Sequence, residues 1–198
     1  MEHPTCASCA LGEAAISIRD PSTPTHPERR RFCGRIAALA FAPVAVHATA
    51  TESRSLAFVH THTGETLSTT YFQHGDYLAQ SLERANHLLR DFRTNEVHSM
   101  DPVLLDILFE LQGAAHHDGP FEVISAYRSP QTNAALRRGS NAVAEHSLHM
   151  QGRAIDIRLR GFPTTKVREI AIALHRGGVG FYEASDFVHV DTGRVRTW

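Results

Sequence analysis

The chain has 198 residues, 42% of them apolar and 21% charged, with a formal net charge of -1. That balance excludes a disordered or fibrous polypeptide and fits one globular domain. Lys166 is the only lysine, so there is no basic field of the kind that drives non-specific nucleic-acid binding, and no nucleic-acid partner is expected.

All three cysteines, Cys6, Cys9 and Cys33, lie in the first 33 residues, which confines any disulfide or thiolate chemistry to the amino end. Residues 1–27 form no periodic element, and Cys6 with Cys9 is a lone CxxC without a partner pair. Residues 28–50 read ERRRFCGRIAALAFAPVAVHATA, a block of arginines followed by an apolar, small-residue segment from Ile36 to Val46 and then small residues suited to signal-peptidase cleavage after Ala48 or Ala50. The apolar segment is shorter than the roughly 20 residues of a stable membrane span, so no permanent membrane anchor is expected. Arg29, Arg30, Arg31 and Phe32 resemble the twin-arginine export consensus, although Cys33 stands where leucine is preferred. Because Cys33 precedes the apolar stretch, it does not fit a lipid-anchor site. The competing reading is a buried N-terminal helix. Residues 1–50 are therefore read as a leader with a twin-arginine signal, and residues 51–198 as one exported domain, periplasmic or wall-associated. That domain keeps 15 Lys+Arg, 17 Asp+Glu and 11 of the 14 histidines, and no cysteine.

In chain order, Leu56–His60 and Leu67–Phe72 read as a hairpin around the glycine-bearing THTGE loop. Tyr77–Arg90 and Asp101–Ala115 place leucine, isoleucine, valine and alanine at helical spacing, the second with an Asp101-Pro102 start. Phe121–Tyr127 is expected as a strand, and a short helix starts at Pro130. Ala154–Leu159 alternates apolar with polar residues, Thr165–Arg176 is an amphipathic helix ended by Gly177-Gly178, and Phe187–Val190 is the last strand. Without a repeated βαβ unit this is an α+β chain, expected as a single compact domain with a central antiparallel sheet and flanking helices.

The segment Ser147-Leu148-His149-Met150-Gln151-Gly152-Arg153-Ala154-Ile155-Asp156, with the later Asp186-Phe187-Val188-His189-Val190-Asp191, concentrates the chemistry. His149, Asp156 and His189 offer two nitrogens and one oxygen, a set suited to one tetrahedral zinc ion with water in the fourth position. For any one of these imidazoles taken alone, a satisfied core or surface histidine is the competing reading. His146, His116, His117, His60 and His62 are left out of the ligand set. No GxGxxG stands between a strand and a helix, so no nucleotide cofactor is expected.

From about residue 56 to Trp198 the sequence resembles the zinc D,D-peptidases of the peptidase M15 type, which share a fold with the hedgehog signalling domain, and among them an exported murein endopeptidase branch. The pattern SxHxxGxAxD is met at Ser147, His149, Gly152, Ala154 and Asp156, with a later histidine at His189 in FVHVDTG, and AYRSPQTN at 126–133 and GRVRTW at the end add to the likeness. The resemblance implies that His149, Asp156 and His189 hold zinc and that the substrate is a peptidoglycan stem peptide. It implies a murein D,D-endopeptidase, with a D-Ala-D-Ala carboxypeptidase as the nearest alternative. A noncatalytic wall-binding or zinc-stabilised module is a third reading, since fold does not dictate chemistry.

Asp186, three residues before His189, occupies the position where the resemblance implies a carboxylate base; it is either that base or a solvated loop carboxylate, with Glu183 as the fallback. Arg128 resembles the substrate-facing arginine, suited to a peptide carboxylate or a developing oxyanion, against the alternative of a surface ion pair. Ser147 and Gln151 hold the loop or touch substrate. Asp191, two residues beyond His189 on the same strand face, either orients an imidazole from behind or supports the Thr192-Gly193 turn. The oligomeric state is not legible from the sequence.

Overall fold

In the computed structural model, residues 52–139 and 143–198 are described; the leader and its export signal lie outside them. The chain enters a β-hairpin, β1 (Ser53–His60) and β2 (Thr66–Gln73), paired antiparallel with a bulge between Arg54 and Ser55. A two-residue strand β3 (Asp76–Tyr77) extends it, so the expected helix begins later, as α1 (Ala79–Leu88): Tyr77 is spent on pairing with Phe72. Next come α2 (Pro102–Ala115), β4 (Phe121–Ser125) and α3 (Pro130–Gly139). A 3-10 turn over Leu148–Gln151 leads into β5 (Ala154–Leu159). The carboxyl-terminal part is α4 (Thr164–Leu174), β6 (Gly178–Tyr182), a 3-10 turn at Glu183–Ser185, β7 (Phe187–Asp191) and β8 (Arg196–Thr197).

The eight strands form one sheet in the order β3-β2-β1-β4-β5-β7-β6-β8. The α+β architecture matches the sequence reading, but the sheet is mixed: β1 pairs parallel with β4, and β6 with β8. The first parallel pair arises because α1 and α2 intervene between the hairpin and β4 and return the chain in the same direction. α2 begins as Asp101-Pro102 forecasts, since the Asp101 carboxylate accepts the Val103 N–H at 3.0 Å and proline takes a first-turn position that needs no donor. Among the described residues no helix is long and apolar enough to cross a membrane.

Helices α2 and α4 pack on each other and against the sheet, α2 at β1 and α4 at β5, β6 and β7. Ile155, Ile157, Val188 and Val190 face them with Val167 and Ala171 in a single apolar core. Burying each valine or isoleucine side chain there is worth roughly 1.5–3 kcal/mol. Strand alternation then sends Asp156, His189 and Asp191 to the other face of the sheet.

A polar network ties α2 to the sheet edge. The buried Asp106 carboxylate accepts from Tyr71 Oη at 2.9 Å, Tyr77 Oη at 2.5 Å and the Arg54 guanidinium at 2.7 Å. Burial and the bond to this carboxylate push the Tyr77 phenol up to about 12. Asp106→Ala would strand these donors and is expected to cost about 2–3 kcal/mol, measured as a fall in the urea midpoint at unchanged m value.

His60 is a second buried polar group. Its Nδ1 accepts from the His62 and Thr63 N–H groups, while Nε2 has no partner among the described residues. Burial, reinforced by the nearby His62, lowers its pKa below 6.5, because the folded state resists charging the ring. The neutral ring's contribution to stability is therefore complete above 6.5 and declines as pH falls below that value. Denaturation midpoints between pH 7.5 and about 5 should fall less for His60→Phe than for the parent chain, and equal slopes would refute the assignment.

Candidate metal centre

The register of β5 against β7 sets Asp156 directly opposite His189. The third member comes from the 3-10 turn. Ser147 caps that turn, its hydroxyl facing the His149 N–H at 3.4 Å, and Gly152 leaves it at φ +67°, a left-handed turn that directs the chain into β5.

The three side chains converge. His149 Nε2 lies 3.2 Å from His189 Nδ1 and 3.3 Å from Asp156 Oδ1, and His189 Nδ1 lies 2.9 Å from the same oxygen. Tetrahedral zinc with bonds of 2.0–2.1 Å requires ligand atoms about 3.3–3.4 Å apart, so this triangle needs only slight expansion to hold the ion. Among the described residues it is the one His/Asp cluster with ligand atoms this close.

Hydrogen bonds behind the rings determine which nitrogen faces inward. His149 Nδ1 donates to the Ala126 carbonyl at 2.7 Å, leaving the Nε2 lone pair for a metal. His189 uses the opposite tautomer: Nε2 donates to Asp191 Oδ2 at 3.0 Å, freeing Nδ1. Asp191 is fully buried and also accepts from Gly178 N, Gly193 N and the Arg196 guanidinium. Its expected place behind His189 and its competing role at the Thr192-Gly193 turn are both filled by one carboxylate.

The electrostatics suit a cation. Burial would raise the Asp156 pKa, but the two imidazoles outweigh it and hold the group ionised, well below the ordinary carboxylate range. Burial lowers His149, favouring the neutral ring that can coordinate. Burial also works against charge on His189, yet its bonds to Asp156 and Asp191 prevail and raise it. A proton held between His189 and Asp156 must leave when a metal enters, so metal uptake releases acid.

The triad lies at the floor of a cleft of about 520 Å³. Arg128 is on its wall, with the guanidinium 3.8 Å from Asp156 Oδ2 and a buried Nε that has no partner among the described residues. Burial depresses its pKa, opposed by Asp156. The other wall is aromatic: Tyr182 stacks on Phe187 at 4.6 Å between ring centroids and accepts the Trp198 indole N–H at 3.1 Å. Trp198 in turn lies 5.2 Å from the His189 ring. Gly180 makes room for it, because a Cβ there would come within 2.6 Å of the indole.

Asp186 is not brought to this site. Its carboxylate accepts from Thr164 Oγ1 at 2.5 Å and pairs with Arg158 at 3.4 Å, on the wall of a separate depression beside α4. It precedes β7 in a left-handed conformation, φ 51°, so the strand alternation that points His189 into the cleft does not extend to it. Glu183 is exposed in the 3-10 turn, and Gln151 is exposed and off the cleft lining. Ser147 lines the cleft and holds the turn. Sequence reasoning missed the Ala126 carbonyl and the roles of Arg196 and the aromatic wall; the terminal GRVRTW, which contains Arg196 and Trp198, was the signal that could have found two of them.

Asp191→Asn keeps the shape of the carboxylate but removes its charge and disturbs the donor arrangement at Arg196 and His189. Zinc affinity, measured by competition with a chromophoric chelator, is expected to drop about 10–100-fold while the circular dichroism spectrum is retained.

Residues 48–198 match the family described as "Peptidoglycan L,D-endopeptidase MepK". The protein of that name from Escherichia coli (strain K12) is 41% identical over 145 residues, covering 73% of this chain and 80% of the relative, and that of Shigella flexneri matches to the same extent. A "Probable peptidoglycan L,D-endopeptidase MepK" of Haemophilus influenzae is 44% identical over 146 residues, covering 73% of this chain and 78% of the relative.

Proposed function

The chain belongs to the Peptidase_M15_2 family of peptidoglycan peptidases, and from that membership we propose that it is a zinc-dependent endopeptidase opening peptide crosslinks of the cell wall. The observation that carries the proposal is the His149, Asp156 and His189 triangle at the floor of an open cleft, with both imidazole tautomers set from behind.

The bond we assign is an L,D one, replacing the D,D bond expected from sequence, because the relatives' names specify L,D-endopeptidases. We place the protein outside the cytoplasm, exported by the twin-arginine segment at Arg29–Phe32 as one domain from about residue 51.

Zinc held by the triad would lower the pKa of a bound water and polarise the scissile carbonyl. Arg128 is placed to pair with the negative charge that gathers on the carbonyl oxygen or with a carboxylate of the stem peptide. Asp191 keeps His189 Nε2 protonated and its ring fixed throughout. With Asp186 outside the cleft and engaged by Thr164 and Arg158, we assign proton transfer to His146, the imidazole on the cleft wall outside the triad. The aromatic wall of Tyr182, Phe187 and Trp198 excludes water from one side and offers apolar contact to the peptide.

Mass analysis of defined muropeptides incubated with the zinc-loaded protein tests this reading. Separation of L,D-crosslinked dimers into monomers is expected. Opening of D,D-crosslinked dimers alone would restore the D,D assignment, release of a terminal D-Ala alone would indicate a carboxypeptidase, and binding without any product would indicate a noncatalytic module. Substituting His149, Asp156 or His189 should abolish tight zinc binding. Asp186→Asn should stay within about twofold of the parent while His146→Ala loses about 10²-fold in kcat with zinc retained.

A further inference from the structure

Arg128 has a long side chain whose one ion pair among the described residues is the 3.8 Å approach to Asp156, and its buried Nε has no partner among them. Its own bonds therefore do little to fix where the guanidinium points, and the backbone that carries it must do so. That backbone is held on both sides by one loop, the segment Leu89–Glu96 after α1. Tyr127 N donates to the Leu89 carbonyl at 3.0 Å, and its phenol donates to Glu96 Oε1 at 2.6 Å. On the other side, Ser129 sends both its N–H, at 2.9 Å, and its hydroxyl, at 2.7 Å, to Asp91 Oδ2. Arg128 N itself donates to the His149 carbonyl at 3.2 Å, which joins this clamp to the metal cluster.

The loop is rigid enough to act as a clamp. Asp91 and Glu96 bridge it, with Asp91 N donating to the Glu96 carbonyl at 3.0 Å and Asn95 N to the Asp91 carbonyl at 2.7 Å. Asp91 is 1% exposed, and its second oxygen accepts Arg93 N at 3.0 Å. Ser129 Oγ in turn accepts Thr132 N at 3.2 Å, in the first turn of α3. A carboxylate in this place is thus committed to holding the residue that follows Arg128.

We propose that Asp91 is a positioning residue for the cleft: acting through Ser129, it sets the reach of Arg128 toward the substrate beside Asp156. The inference rests on the peptidase reading above. Displacing a group by about 1 Å can cost on the order of 10²-fold in rate, so a clamp two bonds removed from the chemistry can still govern turnover.

The test is a double-mutant cycle on the full-length, zinc-loaded protein with crosslinked muropeptides as substrate. Asp91→Asn and, as a gentler change, Ser129→Ala are each expected to lower kcat/KM about tenfold or more with zinc stoichiometry intact, but less than about twofold when introduced into Arg128→Ala. Loss by the same factor in both backgrounds would overturn the proposal, because a general structural role would act whether or not Arg128 is present. A parent protein that hydrolyses no crosslink defeats the peptidase reading instead; the same cycle is then read from the dissociation constant of a soluble stem peptide, where non-additivity supports the clamp and additivity overturns it.

Discussion

The pairing register of β5 and β7 is the constraint on which the rest of the molecule depends. It sets Asp156 against His189 and Ala154 against Asp191, so one ladder carries two members of the metal triangle and the carboxylate behind it. The same ladder buries Ile155, Ile157, Val188 and Val190 against the helices. A slip by one residue would exchange the two sets, placing carboxylates and an imidazole in the apolar core. Core burial thus holds the site in register at no separate cost to the fold.

That division of the sheet into two faces also sorts the chemistry. Beyond the cleft, Asp186 is occupied with Thr164 and Arg158, which secures the turn before β7 to the start of α4. On the open side, β6 contributes glycines where it crosses His189 and Asp191, and the space so left is taken by Trp198 and Arg196. The short β8 strand and the Trp198 that follows it therefore close the cleft, the one supplying the counter-ion of a buried carboxylate and the other an aromatic surface.

Much of this was legible from the chain because it follows local pattern. The hairpin, α2 with its Asp101 cap, and the strand character of 154–159 and 187–190 depend on periodicity that neighbouring residues carry among themselves. The triad was legible because SxHxxGxAxD is a fixed local spacing with one distant histidine. What was not legible depends on pairing between remote segments. Gly178–Tyr182 has glycines that read as a stop, and it becomes a strand only because β7 and β8 lie on either side. Parallel pairing of β1 with β4 cannot be seen in either strand alone. The choice between base and loop carboxylate at Asp186 stayed open, since proximity to His189 in sequence says nothing of where a left-handed turn residue directs its side chain. The Asp91 clamp joins residues 38 positions apart through a side chain with no motif around it.

The two imidazoles of the triad are oriented by acceptors of different kinds, and this gives them different genetic robustness. His189 is aligned by a side chain, Asp191, that a single codon change can delete. His149 is aligned by the main-chain carbonyl of Ala126, a group every amino acid possesses. Sequence drift can erase the first support directly, but can reach the second only by moving the backbone itself; what position 126 asks of its side chain is set by burial in the core and not by the bond to His149.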